Sequence, residues 1–224
     1  MLVILILAND DRLYPQMQER WRSYMHLHPR IKSYFIKLRP QAPAEIVGDT
    51  IYVQGDESYV PGCLLKTIKS IEHLLTVNEP FQFVFRTNLS SVVELNALYH
   101  VCTQDNVDCA GVIGYLHNQA FLSGAGMLLS RKVCQDLVCN QSTLEYRVID
   151  DVSIGEFLRR KQYSMTPLRR LDVCCYEHSP QDINAHMLSS HYHFRCKSET
   201  DQARTIVLMD RVIGFLYKQG NTSA

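Results

Sequence analysis

The stretch Phe81-Gln82-Phe83-Val84-Phe85-Arg86-Thr87-Asn88-Leu89-Ser90-Ser91 constrains the fold more than any other part of the chain. Its aromatic, β-favouring start reads as a buried strand over Phe81–Phe85. It then breaks into polar residues, and Ser90 or Ser91 supplies an N-cap for a helix running to about Val101. In open α/β sheets, ligands bind in the crevice at the carboxyl ends of strands. A binding site is therefore expected at Arg86, Thr87 and Asn88.

The same strand-then-polar pattern opens the chain. Leu2–Leu7 is continuously apolar, as in a parallel strand buried on both faces. Asn9-Asp10-Asp11-Arg12 follows it directly. Tyr14–Met25 reads as a helix with Pro15 in its first turn. Ile31–Leu38 is the second strand, Pro40–Pro43 a loop and Ile51–Val53 a short third strand. Apolar residues at Leu64, Leu65, Ile68, Ile71, Leu74 and Leu75 mark a helix over Cys63–Leu75.

Cys109–Gly114 is a further strand. In Ala120-Phe121-Leu122-Ser123-Gly124-Ala125-Gly126-Met127-Leu128-Leu129-Ser130 two glycines permit close backbone approach. Ser130 then caps a helix over Arg131–Val138. Asp150 and Asp151 immediately precede a helix over Val152–Lys161. Val173–Tyr176 and His191–Lys197 read as late strands, Thr200–Lys218 as the terminal helix, and 220–224 as a polar tail. This alternation of strands and helices predicts one α/β domain over residues 1–220, with a mostly parallel central sheet flanked by helices and a tail at 221–224.

Composition narrows the function. Lys plus Arg and Asp plus Glu are both 23, so net charge is zero and no nucleic-acid partner is expected. The basic clusters Arg159-Arg160-Lys161 and Arg169-Arg170 read as solvated surface. No segment has the length of a membrane span, and Met1–Ala8 lacks a basic leader and cleavage site. A soluble, cytoplasmic protein is expected. The eight cysteines show no C-x-x-C spacing and read as reduced thiols. The absence of G-x-G-x-x-G and G-x-x-x-x-G-K-[ST] disfavours a dinucleotide enzyme or a P-loop NTPase.

In their order and spacing these motifs resemble glycosyltransferases of the GT-A, Rossmann-like fold. The resemblance is to the β-1,3-galactosyltransferase and Fringe-like group, and to short glycosyltransferases of large DNA viruses and bacteria. Asp56-Glu57-Ser58-Tyr59 followed by Leu65-Lys66-Thr67 is similar to that group's D-x-Y…L-K-T. Ser123-Gly124-Ala125-Gly126…Leu129-Ser130 resembles S-G-x-G-x-x-L-S. Asp150-Asp151-Val152…Gly155 resembles [ED]-D-V-x-x-G, and Arg20-Trp21 is similar to part of an early R-x-T-W. The match spans most of the chain.

The resemblance implies transfer of a sugar from a nucleotide-sugar donor, by default a UDP-sugar, to a hydroxyl of a glycan or glycoconjugate acceptor, with inversion. It implies Asp151 as general base, with Asp150 as the alternate; one of the pair would cap the helix, whose N-terminus would depress the carboxylate's pKa. It implies Asn9 and Asp10 at the nucleoside, Asp56 and Lys66 in donor binding, and Thr87 and Asn88 near ribose, diphosphate or sugar. Ser123, Gly124 and Gly126 would line the floor. His193, Arg195 and Lys197 share one strand face and would close over the diphosphate, assisted by Arg86.

The family's D-x-D, which holds manganese or magnesium, is replaced here by Arg86-Thr87-Asn88. Hard cations take most of their affinity from carboxylates, so metal-independent transfer is favoured, with Asn88 and His193 as the candidate ligands for any ion. The alternatives are a catalytically inactive GT-A-like module that binds nucleotide-sugar or glycan, and a nucleotidyltransferase, whose basic Gly-rich loop is missing after the first strand.

Overall fold

The computed structural model describes residues 1–103, 107–174, 183–184, 188–198 and 201–218. In chain order the elements are β1 (Leu2–Leu7), α1 (Tyr14–Arg22), β2 (Ile31–Arg39), β3 (Glu45–Val47), β4 (Thr50–Gln54), α2 (Gly62–Thr76) and β5 (Phe83–Asn88). Then come β6 (Ser91–Val93), α3 (Leu95–Cys102), β7 (Cys109–Leu116), β8 (Gln119–Ser130), α4 (Arg131–Cys139) and α5 (Asp150–Arg160). The last are β9 (Met165–Pro167), β10 (Leu171–Cys174), β11 (His193–Lys197) and α6 (Gln202–Ile213), which runs on into a π-helical turn over Gly214–Lys218.

Eight strands form one sheet in the order β3-β4-β2-β1-β5-β8-β7-β9. Strands β4, β2, β1 and β5 are mutually parallel, joined by crossovers through α1 and α2. The sheet turns antiparallel at β8 and β7, where β9 adds in parallel. A second sheet, β10-β11-β6, has three strands. The architecture is thus α/β with a large mixed sheet that is parallel through its centre.

Strand β1 shows why its sequence is apolar without alternation. Leu2, Ile4 and Ile6 pack into one core with Trp21, Phe85, Phe194 and Met209. Val3 and Leu5 pack into the other with Ile68, Phe157 and Leu137. Helices α1, α3 and α6 and the small sheet cover the first face; α2, α4 and α5 cover the second. None of the described helices is long and apolar enough to cross a membrane.

Three local expectations are corrected. Strand β5 does not end at Phe85, because its parallel pairing with β1 continues through Leu5↔Arg86, Ile6↔Thr87 and Leu7↔Asn88. Ser90 and Ser91 do not cap a helix: Ser91–Val93 is β6, paired with β11. Helix α3 starts later, capped by Glu94, whose carboxylate accepts from Ala97 N at 2.6 Å and Asn96 N at 3.2 Å. Pairing with a neighbouring strand outranks the local capping signal at the serines. The antiparallel edge strand β3 was not expected at all. Of the expected strand over Val173–Tyr176, residues 175 and 176 lie outside the described residues, as do His178, His186, Thr200 and the tail at 221–224.

Two steps along β7, from Gly111 to Ile113, match five along β8, from Met127 back to Leu122. Strand β8 therefore bulges at Ser123–Gly126, and the two glycines of the bulge serve opposite faces. A Cβ on Gly124 would enter the Arg86 guanidinium; one on Gly126 would lie 2.5 Å from His193 Nδ1. Gly155 plays the same part on α5, where a Cβ would lie 2.9 Å from the Phe121 Cα on β8. A backbone atom cannot move aside as a side chain can. Gly155→Ala is therefore expected to destabilise the protein by about 1–3 kcal/mol and to lower its melting temperature in a thermal denaturation scan. An unchanged melting temperature would show that α5 does not need this close approach.

Candidate active site

The carboxyl ends of β1 and β5 open into a cleft of about 440 Å³. Ala8 and Asn9 after β1, Asn88 at the end of β5, and Tyr59, Cys63 and Lys66 around the start of α2 line it. Asn9 folds its own turn, its Oδ1 accepting from Asp11 N at 3.2 Å. Lys66 is buried, and its Nζ donates to Ala8 O at 2.7 Å and to Glu57 Oε2 at 2.6 Å. It ties the end of β1 to the loop before α2. Glu57 lines the cleft, whereas Asp56 is exposed and does not.

Asp10 is also set apart from the cleft, since Asp11 takes the lining position. Its carboxylate pairs with Lys37 at 2.5 Å, and that hydrogen bond holds it below the usual carboxylate range.

Of the polar run on β5, only Asn88 reaches the cleft. Thr87 is fully buried and donates from Oγ1 to Ala125 O at 3.0 Å, pinning β5 to the β8 bulge. Arg86 is 2% exposed and forms a buried ion pair with Asp150 in the first turn of α5. The strand runs past the aromatic residues, so its arginine points into the interior.

Asp151 sits beside this pair. Its Oδ2 accepts from Gly124 N at 3.2 Å and its Oδ1 from Val152 N at 2.9 Å. Neither aspartate is the N-cap: that position is Ile149, with no side-chain cap. The expected depression of Asp151 by the helix terminus is reversed. Burial pushes its pKa up, helped by the Asp150 charge, while the Gly124 N–H and Arg86 pull it down less strongly. Tyr59, an aromatic ring 72% exposed at the cleft wall, lies within electrostatic reach of both aspartates. Neither aspartate lines the cleft itself.

The late basic strand sits elsewhere. His193 is 1% exposed, with Nε2 against Ser91 Oγ at 3.1 Å and its ring edge-on to Phe85. Burial, then Arg170 and Arg195, holds its pKa well below the ordinary imidazole value. It is a neutral core group that seats β11 on Gly126, not a surface clamp. Arg195 is half-buried, 4.0 Å from Asp172, and Lys197 is exposed at the end of β11. None of the three lines the cleft.

Arg170 was read as solvated surface and is buried instead, donating to both Asp172 oxygens and from Nη1 to Ser123 Oγ at 2.9 Å. Only the polar neighbours Ser123 and Asp172, remote in sequence or on a later strand, distinguish it from an ordinary surface arginine. The bulge thus has charged groups on each side: Arg86, Asp150 and Asp151 on one, Arg170, Arg195 and Asp172 on the other.

The described residues do not form a divalent-cation set. No three His, Cys, Asp or Glu side chains among the described residues are grouped to hold an ion. The place of the first acid of D-x-D is a buried cation, and His193 Nε2 is engaged by Ser91.

No protein-family model matches the chain, and no curated protein matches it. Solved structures do. The chain is similar to a glycosyltransferase involved in the glycosylation of the major capsid of PBCV-1, with TM-score 0.59 and 9% identity over 93% of this chain and 98% of that one. It is also similar to the glycosyltransferase GlyE of Streptococcus pneumoniae TIGR4, with TM-score 0.54 and 14% identity over 100% of this chain. It spans about two thirds of GlyE, 65% of that chain. These likenesses show the fold: the chain has the α/β, Rossmann-like GT-A architecture.

Lys66 ties Ala8 to Glu57 from a buried position, so Lys66→Met, which removes both contacts, is expected to destabilise the protein by about 1–3 kcal/mol and to lower its melting temperature. An unchanged melting temperature would show that the cleft does not need this tie.

Proposed function

We propose that the protein is an inverting glycosyltransferase that moves a sugar from a nucleoside-diphosphate donor to a hydroxyl of a glycan acceptor. The observation that carries this is Asp151: a half-buried carboxylate with a raised pKa, held by Gly124 N–H, whose charge reaches Tyr59 on the wall of the cleft at the carboxyl ends of parallel strands. A UDP-sugar is the donor that the sequence resemblance favours.

The acceptor oxygen bonds the anomeric carbon as the bond from that carbon to the diphosphate oxygen breaks. The electron pair leaves with the nucleoside diphosphate, and the acceptor proton passes to Asp151. A base works best with a pKa near the operating pH, and burial moves Asp151 in that direction. Water excluded from the site also strengthens the attraction between the carboxylate and the incoming hydroxyl.

On the leaving side, Lys66 and the N-terminal end of α2 face the cleft. Glu57 pairs with Lys66 and also lines the cleft, so a departing diphosphate would be stabilised by taking over the Lys66 ammonium from Glu57 and by the N-terminal end of the helix. Manganese or magnesium would supply the same stabilisation in a carboxylate-rich site, but this donor set does not suit a hard cation.

A panel of nucleotide-sugars, incubated with and without manganese, tests the reading through release of nucleoside diphosphate. Turnover of at least one donor is expected, unaffected by chelator. Tight nucleotide binding without any turnover would favour the inactive binding module, and activity lost in chelator and restored by manganese would overturn the metal-independent route. Asp151→Asn is expected to reduce turnover by roughly 10²–10⁴-fold while sparing donor affinity. Unimpaired turnover in that variant would remove Asp151 as the base.

A further inference from the structure

Arg86 and Asp150 are a buried pair, their side chains 2% and 8% exposed. Holding charges this deep is costly, and a buried pair is often no more stabilising than apolar residues of the same volume. Its location therefore matters more than its energy. Arg86 Nε has no hydrogen-bond partner among the described residues. The Nη1 end of the guanidinium fills the space that a Cβ on Gly124 would take. Gly124 in turn donates its N–H to Asp151. A continuous line of contacts thus runs from Asp150 through Arg86 and Gly124 to Asp151.

Among the described residues, few other charged groups act on Asp151. Asp150 adjoins it on α5, and Arg86 faces it from β5. Tyr59 stands in the loop before α2, within reach of both aspartates, and Cys63 on the first turn of α2 feels Asp150 and Arg86. Two adjacent carboxylates in a half-buried turn oppose one another's ionisation unless a cation intervenes. Arg86 is that cation.

We propose that the Arg86–Asp150 pair is a fixed charge device that positions Asp151 and sets the pH at which it can take the acceptor's proton, a role that rests on Asp151 being the base proposed above. Both members are positioning residues, since neither touches the cleft. The opposing effects on Asp151 agree with this: Asp150 raises its pKa and Arg86 lowers it.

The test is the acid limb of the pH profile of kcat/KM for donor turnover. Arg86→Gln leaves the Asp150 charge unopposed and is expected to move the limb up by about one pH unit. Asp150→Asn leaves the guanidinium unopposed and is expected to move it down by about as much. The double variant returns it close to the wild-type position. Arg86→Lys keeps the charge and is expected to keep the limb. Arg86→Lys keeps both charges and the double variant leaves neither unpaired, so these two report even where a single neutral variant does not fold: a limb displaced in either of them overturns the device.

A limb that stays fixed in Asp150→Asn, or single variants that shift it in the same direction, overturns the device while leaving glycosyl transfer intact. A wild-type protein that turns over no donor at any pH overturns glycosyl transfer itself and the device with it.

Discussion

A guanidinium removed from water must be neutralised where it lies, and Arg86 is neutralised by Asp150. That requirement joins the centre of the large sheet to the first turn of α5. It fixes where α5 begins, and so where Asp151 stands relative to the β8 bulge and the cleft. Breaking such a pair by removing one partner costs about 3–5 kcal/mol, because a buried charge is left alone. The geometry around Asp151 is thus anchored on an interaction whose partners do not line the cleft.

The glycines of the two later motifs follow from the same crowding. Gly124 vacates space for Arg86, Gly126 for His193, and Gly155 for the backbone of β8. None of these three has a positive φ, so the requirement is room, not conformational freedom. Each is a point where a second element must come closer than a methyl group permits. The bulge lets the first two serve opposite faces of one strand, which regular alternation would forbid.

Much of this was legible in the sequence. The strands β1, β2, β5, β7 and β11, and the helices α1, α2, α4, α5 and α6, all lie where apolar periodicity put them, within a few residues at their ends. The cap of α4 was read correctly at Ser130, whose Oγ accepts from Val133 N at 3.4 Å. The motif spacing pointed to the GT-A architecture that the solved structures share. Asn9, Lys66 and Asn88 were expected at a donor site, and the structure gathers them in one cleft. By contrast Asp10, Asp56, Arg86, Thr87, Ser123, Gly124, Gly126, His193, Arg195 and Lys197 were expected there too and do not line it, nor do Asp150 and Asp151. The basic strand misled because i, i+2 spacing puts residues on one face without saying whether that face meets solvent or another sheet.

By itself the amino-acid order determined which segments form strands and helices, because apolar period and turn chemistry are local properties of the chain. It also determined where glycine leaves a gap. Only the tertiary structure decided what fills each gap and which polar groups look outward. The end of β5 is set by how far β1 continues beside it, the start of α3 by β6 pairing with β11, and the acidity of Asp151 by how much water its neighbours exclude. These are relations between segments distant in sequence, and burial, which sets their energies, exists only once those segments meet.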